Sequence, residues 1–571
     1  MDADRARRLE ELRTTTLFTR DKSGLSKEEK IRLSYERFRA MAKAAVLTRQ
    51  DILDGMPVVE LFDTDAISVD TSLALIFITH YVICLGTILH LAEGRDDLDE
   101  VIDQLMSLDA ICPALLTELG YGNNVQSLET EARFLPDSQE FDIHTPNDGA
   151  LKFISYTGLP GVAKTALVYA RLWVGDRDCG VHPFIVPIRG AEGATFPGVT
   201  VRAVVDRMTP DPLDHAITRF DHVRVPRRMF LGGRHNSVSE DGTFHTDLPD
   251  QRAIFLNTMS RLDFAKLSLI TGAVRMARIS LALGLEFAAQ RTIVAPGRDN
   301  PLRLPVGYLV SQQVPLMTAY AKYRAADVLY RLATDKLAGL PLPAWVQAEA
   351  ADIVSIAKYT SIPLVVDAIT TCTERCGSHA YMERNRLSTY LISSMHANTA
   401  DGDALPLSLQ VARAMMRSAT YRPPVETLEG AEAVEEGGIL SYSRLLAVRE
   451  RMLYDQLASR LANGSWQANL NRAHDLARTR GLRIAVAGLE RDAPEVAELF
   501  GMLLVREFAA WYAGQGVLRP DELTGLDDRI ERQATRLFLE APDIRKRLGV
   551  DNFIAGLPMG QPDYVSAWAS L

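Results

Sequence analysis

The chain is poor in cysteine and lysine, carries no surplus of positive charge, and lacks the common nucleotide and hydrolase signatures. Its five cysteines, Cys84, Cys112, Cys179, Cys372 and Cys376, are scattered over 571 residues. An odd, dispersed set of that kind excludes a disulfide framework and points to a reducing cytosol. Cys372 and Cys376 stand four apart, a helical spacing, but no His/Cys set accompanies them, so no metal site is expected. With 63 Lys+Arg against 73 Asp+Glu the net charge is −10, which argues against a nucleic-acid surface, because phosphate binding needs a basic face. The opening MDADRARRLEELR holds no apolar stretch and no secretory leader is expected. One apolar run, residues 73–91 (LALIFITHYVICLGTILHL), raises the question of a membrane. Thr79, His80, Gly86 and His90 interrupt it, and a buried core helix is expected rather than a membrane span. No GxxxxGK[ST], HExxH or GxSxG occurs, and Gly120-Tyr-Gly122 runs on to Val125 where GxGxxG needs a glycine. Rossmann, zincin and serine-hydrolase chemistry therefore have no anchor.

What is present is the composition of a soluble globular protein, 47% hydrophobic and 24% charged, long enough for about three to four compact units. Arginine outnumbers lysine 52 to 11, a usage common in GC-rich bacteria, and a cytoplasmic bacterial protein is expected. Apolar residues recur at three and four from about Ser26 to Leu116, which predicts an N-terminal helical domain over 1–116. The texture then changes to short β-rich runs between turn residues, among them EARFLP, QEFDIHTP, ALVYARLWV, VHPFIVPIRG, GVTVRAVV and FDHVRVP, which predicts a β domain over 117–245. Helical periodicity returns from Arg252 and predicts a second helical bundle over 246–421. Two prolines, acids and a Gly pair in RPPVETLEGAEAVEEGG predict a linker over 422–438. A last helical domain is predicted over 439–571.

The segment TELGYGNNVQSLETEARFLPDSQEFDIHTP, followed by SYTGLPGVAKTALVYARL and later by ERCGSHAY, resembles the acyl-CoA oxidases of the acyl-CoA dehydrogenase superfamily. Their pattern runs TELGHGxN, LET-A-aromatic, EF-x-I-x-TP, a GGLG-like turn, then CGGHGY, in this order and spacing. The resemblance covers about Phe77 to Met416. It implies a mainly α fold with an inserted β domain: an N-terminal helical domain, a central β-barrel-like domain, a C-terminal four-helix bundle and an additional C-terminal helical domain. It also implies FAD. Thr117 then serves the polar edge of the flavin ring, and Gly158, in TGLPG, lets backbone approach the flavin closely. Arg291 resembles the arginine that reaches the pyrophosphate of FAD in the neighbouring subunit, a task that suits a bidentate, permanently charged guanidinium. Gly377 resembles the first glycine of CGGHGY, close to the same pyrophosphate, and the arrangement implies a homodimer. Ser378 and Ala380 depart from the motif's glycines, while His379 matches its histidine. Gln312 and Gln313 lie two or three residues off the register of the family's adenosine-side glutamine and are assigned no role.

The family's catalytic glutamate, in TxEG[DE]N, lies 25 residues after the cysteine of CGGHGY. Counting from Cys376 lands on Asp401, within NTADGDALPL, and Gln410, Ala412 and Arg413 then fall on the family's Q-x-A-R. Three residue types differ: Asp401 replaces Glu, Ala400 an aromatic, and Ala404 an Asn. The implied reaction desaturates an acyl thioester, on CoA or a carrier protein, at Cα–Cβ. A carboxylate takes the α-proton, the β-hydride leaves for flavin N5, and oxygen reoxidises the flavin. Aspartate is one methylene shorter than glutamate, so either the substrate sits closer or it is different. Asp263, on the earlier long helix near Ala265, is the second candidate base. Two alternatives accompany this reading: a flavin oxidase of a nitroalkane or amine-type substrate, since nitroalkane oxidase resembles this case in using an aspartate, and a non-catalytic flavoprotein.

Overall fold

The computed structural model describes residues 1–204, 211–294, 302–418, 421 and 441–570. They fold as two compact units, Met1–Ser268 and Leu269–Leu571, fewer than chain length alone suggests. The long Leu262–Gln290 helix begins in the first unit and continues into the second.

In the first unit, helices fill residues 3–106. The Lys27–Ala45 helix starts at a capping box, in which Ser26 accepts from the Glu29 amide and Glu29 accepts from the Ser26 amide. Its inward face meets the apolar run of the sequence, which forms the helical stretch Thr71–Leu91 with its middle turns widened to a π-helix over Ile78–Leu85. Phe38, Phe62, Phe77 and Tyr81 close that core as tilted and edge-on pairs. His80 is not a polar exception there: its Nε2 lies 3.2 Å from the Leu105 carbonyl and its Nδ1 accepts from the Cys112 amide at 3.0 Å. Burial holds this imidazole neutral and pushes its pKa down to about 3.

The run 73–91 is joined by two others: Leu262–Gln290 and Ile353–Tyr381 are also long and apolar enough to cross a membrane, and most of each of the three is buried inside the protein. The sequence pattern singled out one because isolated charges such as Arg275 and Lys358 break the other two runs without lowering their average much.

Among the described residues two sheets follow, built from β1 (Ala114–Leu115), β2 (Glu131–Leu135), β3 (Glu140–His144), β4 (Lys152–Tyr156), β5 (Lys164–Val174), β6 (Arg177–Arg189), β7 (Val199–Ala203), β8 (His215–Phe220) and β9 (Val223–Pro226), with a separate hairpin of Asn236–Val238 and Phe244–Thr246 after them. One sheet runs β1-β5-β2-β3-β9 with β6 along β5, and a second runs β4-β8-β7. Strand β5 is buried on both faces over most of its length, so it reads as a continuous apolar run, whereas β2 alternates. Phe134 pairs with Phe141 across β2 and β3, and Phe141 meets Phe184 edge-on and Phe230 at a tilt.

The second unit is helical. The Val310–Leu337 and Ile353–Cys376 helices pack side by side, and Leu387–Thr399, Ala404–Arg417, Tyr442–Ala462, Leu470–Asp492, Pro494–Glu507 and Leu526–Phe538 build outward. Glycines set the closest approaches: a Cβ on Gly481 would overlap Thr360 Oγ1, and one on Gly488 would overlap Val328. Arg480 and Arg483 both pair with Glu349, and Arg483 also reaches Glu450 at 2.6 Å, inside the helix packing. The predicted linker 422–438 lies outside the described residues.

Candidate active site

In the first unit, Thr117 lies two residues beyond β1 and is exposed, while its carbonyl accepts from the Phe153 amide at 2.9 Å. What fixes this short segment is its buried neighbour. The Glu118 carboxylate accepts from the amides of Glu129 and Thr130 and from the Thr130 hydroxyl, and takes the Lys152 ammonium at 2.9 Å. Lys152 also donates to the Tyr169 carbonyl. Burial lowers the Lys152 pKa to about 8, with Glu118 opposing that shift. The pair therefore pins the exposed Thr117 edge onto β4 and β5. Sequence reasoning quoted Glu118 only as part of a motif; Lys152, a lone lysine ahead of an apolar strand, was the available signal.

Gly158 follows β4. Its amide donates to the Asp214 carbonyl at 2.9 Å, and a Cβ there would come within 2.8 Å of the same oxygen. The protein's own backbone thus suffices to require glycine at this position. Below the turn lies a buried knot: Tyr35 donates to Asp214 at 2.7 Å, Lys164 reaches Asp214 at 2.8 Å and the Tyr35 hydroxyl as well, and the Leu159 amide donates to Asp214 Oδ2. Burial alone would raise the Asp214 carboxyl, yet Lys164 and Tyr35 hold it below its ordinary value.

Elsewhere in this unit His144, Asp221 and His222 offer ligand atoms within 4.8 Å of one another. The two imidazoles are stacked 4.2 Å apart at 14°, so their in-plane lone pairs do not converge on one point. His222 Nδ1 is also engaged by Asp142 at 2.9 Å. This geometry does not chelate a single ion. Asp263 sits in the first turn of its helix and pairs with Lys266 at 2.8 Å, whereas the adjacent Ala265 is fully buried.

In the second unit, Gly377 ends the Ile353–Cys376 helix at φ 59, ψ −140, a conformation open to glycine, and a Cβ there would meet nothing within 4 Å. Arg291 is exposed just past Gln290, with its guanidinium 5.7 Å from the Phe287 ring centre. The same ring lies 5.4 Å from His379, which also meets Tyr564 at 5.2 Å. Burial and the Arg291 charge lower the His379 pKa. Arg291 and the Gly377 turn are thereby brought to one aromatic cluster. Arg375, overlooked from sequence, places Nη1 3.5 Å from the Ser311 carbonyl. Beside it, Gln312 Oε1 and Gln313 Oε1 are buried without a hydrogen-bond partner. Cys372 and Cys376 are buried thiols, and desolvation pushes Cys376 up to about 12.

The two aspartates of NTADGDALPL have different surroundings. Asp403 caps the Ala404–Arg417 helix by accepting from the Leu405 amide at 2.9 Å. Asp401 is half-buried in the turn between that helix and Leu387–Thr399, at φ 49. Beneath it runs Lys358, a fully buried side chain whose ammonium donates to the Ala400 carbonyl and, at 2.7 Å, to the Gly402 carbonyl. Lys358 was missed from sequence. One lysine alone in SIAKYTSIPL was its signal.

A model of the acyl-CoA oxidase C-alpha1 domain matches residues 314–416. Among curated proteins, acyl-coenzyme A oxidase 2, peroxisomal, of Arabidopsis thaliana is 32% identical over 365 residues, covering 61% of this chain and 51% of that protein. The chain spans about half the length of the curated relatives it matches. Among solved structures, acyl-CoA oxidase1 from Yarrowia lipolytica has a TM-score of 0.82 at 18% identity, covering 99% of this chain and 89% of that one. Acyl-CoA oxidase-2 of Caenorhabditis elegans, bound with FAD, ascaroside-CoA and ATP, has a TM-score of 0.73 at 18% identity, covering 100% and 95%.

These likenesses overturn the expectation of a cytoplasmic, bacterial protein, because the similar proteins are eukaryotic and the plant relative is named as peroxisomal. Arginine-over-lysine usage reports codon composition rather than compartment. The fold is the one expected, mainly helical with an inserted β domain, as in the acyl-CoA oxidases. By its C-alpha1 match over residues 314–416, its curated relatives and its fold, the chain is similar to the acyl-CoA oxidases.

Proposed function

We propose that the protein is an FAD-dependent, acyl-CoA oxidase-like enzyme that desaturates an acyl thioester, borne by CoA or a carrier protein, at Cα–Cβ. The observation that carries this reading is the turn at 400–403, which presents Asp401 25 residues beyond Cys376 on a backbone held from below by Lys358. Bound FAD would supply the acceptor for the β-hydride at N5 and return the electrons to oxygen.

The residues present suit that cofactor in each unit taken separately. Thr117 is exposed on a segment fixed by the Glu118–Lys152 pair, with Gly158 after the neighbouring strand. Gly377 offers its backbone to open space, Arg291 a guanidinium, and Gln312 and Gln313 buried oxygens with no protein partner. In this reading Arg291 and Gly377 serve the pyrophosphate of FAD in a partner copy of a homodimer. Asp401 takes the α-proton, and hydrogen bonds to the thioester carbonyl acidify it. The division into 1–116, 117–245, 246–421, a linker at 422–438, and 439–571 is retained as the corresponding set of modules.

The test is anaerobic. Purified holoprotein is mixed with acyl-CoAs, carrier-bound acyl groups and nitroalkanes, and the flavin absorbance is followed. Bleaching by a thioester is the expected result. A protein that takes up no flavin, or whose flavin no thioester bleaches, defeats the proposal. The short base favours one second reading, oxidation of a nitroalkane or amine-type substrate, which predicts peroxide from that panel with thioesters inert. Unchanged turnover in Asp401→Asn removes Asp401 from either mechanism.

A further inference from the structure

We propose that Lys358 is the positioning residue of the candidate base, an inference that rests on the proposed reading of Asp401. A lysine ammonium taken wholly out of water is expensive unless its donors are used. Lys358 is fully buried, and its ammonium donates to the carbonyls of Ala400 and Gly402, one on each side of Asp401. The Leu387–Thr399 helix ends at Ala400. A cation at that end meets carbonyls left without intrahelical partners and the negative pole of the helix.

The Ala400 carbonyl fixes the peptide plane that enters Asp401 and the Gly402 carbonyl the plane that leaves Gly402, so the two bonds bracket the Asp401–Gly402 turn and restrict the direction in which the Asp401 Cβ leaves the chain. That control matters more for aspartate than for a longer acid. With one methylene there is little side-chain reach to correct an error in the backbone, and a displacement of about 1 Å costs on the order of 10²-fold in rate. The turn also holds two successive left-handed residues, Asp401 at φ 49 and Gly402 at φ 98, a conformation that needs outside support. Lys358 supplies it from the Ile353–Cys376 helix, whose other end carries Gly377.

The test uses full-length holoprotein carrying Lys358→Met, which keeps the shape and removes the donors, and Lys358→Gln, whose carboxamide keeps neutral N–H donors. Hydrogen exchange of the peptide covering 398–405 needs no substrate. Lys358→Met is expected to raise exchange at 400–403 at least about tenfold, with the body of its own helix unchanged. Anaerobic flavin reduction by the bleaching thioester is expected to slow about 10²-fold at saturation, while flavin content and thioester affinity stay within about threefold. Partial recovery of both readouts in Lys358→Gln supports positioning. Wild-type exchange in both variants overturns it, even if turnover falls. Failure of every thioester to bleach the wild-type flavin defeats the proposed function alone, because the exchange measurement still decides whether Lys358 holds the turn.

Discussion

Lengthening the candidate base by one carbon is the sharpest perturbation the geometry allows. Asp401→Glu restores the side chain usual in the family and adds one C–C bond, about 1.5 Å of reach. Two costs follow from where Asp401 sits. Its φ of 49 is left-handed, a region that aspartate and asparagine enter more readily than longer side chains, so glutamate costs roughly 1 kcal/mol of backbone preference. The turn is held through its carbonyls by Lys358, so the added length goes into displacing the carboxylate rather than into relaxing the backbone. A shift of 1 Å or more predicts about 10²-fold slower flavin reduction, roughly 2.7 kcal/mol of barrier. Asp401→Asn is the control: it tolerates the same φ but cannot take a proton, and its loss should be at least as large, 10²–10⁴-fold. Stopped-flow absorbance under anaerobic conditions, over a range of thioester concentration, separates the rate at saturation from affinity. An Asp401→Glu enzyme as fast as wild type would refute the argument that the pinned turn fits an aspartate.

Three further outcomes follow from the packing. Gly481→Ala places a Cβ onto Thr360 Oγ1 and 3.1 Å from Thr360 Cβ, so it should destabilise by about 1–3 kcal/mol, and Thr360→Ala should relieve most of that in a double-mutant cycle read by thermal unfolding. Gly158→Ala pushes against the Asp214 carbonyl at 2.8 Å and should lower thermal stability even in the flavin-free protein; a loss seen only in holoprotein would mean that cofactor approach, not strand packing, requires the glycine. The folded pKa of His80, about 3, lies below its unfolded value of about 6.5, so the unfolded chain binds more protons between them. Stability from this group is therefore complete above about pH 6.5 and is lost as pH falls toward 3, by up to roughly 5 kcal/mol. His80→Asn should be less stable at pH 8 yet show a flatter fall between pH 6.5 and 4 in a pH series of melting temperatures.

How much was legible in the sequence differs by element, for physical reasons. Strands β2, β3, β5 and β6 were readable because their apolar residues alternate or run on between turn residues. Strands β4 and β8 were not: KFISY and HAITRF carry Lys152, His215 and Thr218 inward, all buried, so their inner faces look polar. The same inversion hid the supports of the site. Lys152, Lys164 and Lys358 are fully buried lysines in a chain with only 11, and hydropathy assigns any lysine to the surface. Each is buried because a specific acceptor awaits it, Glu118, Asp214, or the carbonyls around Asp401, and those acceptors are distant in sequence.

NTADGDALPL shows the limit of spacing arguments in one stretch. Counting from Cys376 distinguishes Asp401 from Asp403 because a helix and a turn of fixed length intervene, and the backbone then gives each acid a separate task. Asp403 lies next to a helix start and has an amide to accept from, so capping is its whole explanation. Asp401 begins no helix and adopts a left-handed φ. The carbonyls of its neighbours Ala400 and Gly402 are held by Lys358. A glutamate at this point would need a looser turn to swing its carboxylate into place, whereas an aspartate needs a rigid one. The buried lysine and the short acid are therefore two parts of one arrangement, and a change to either should be felt as a displacement of the other.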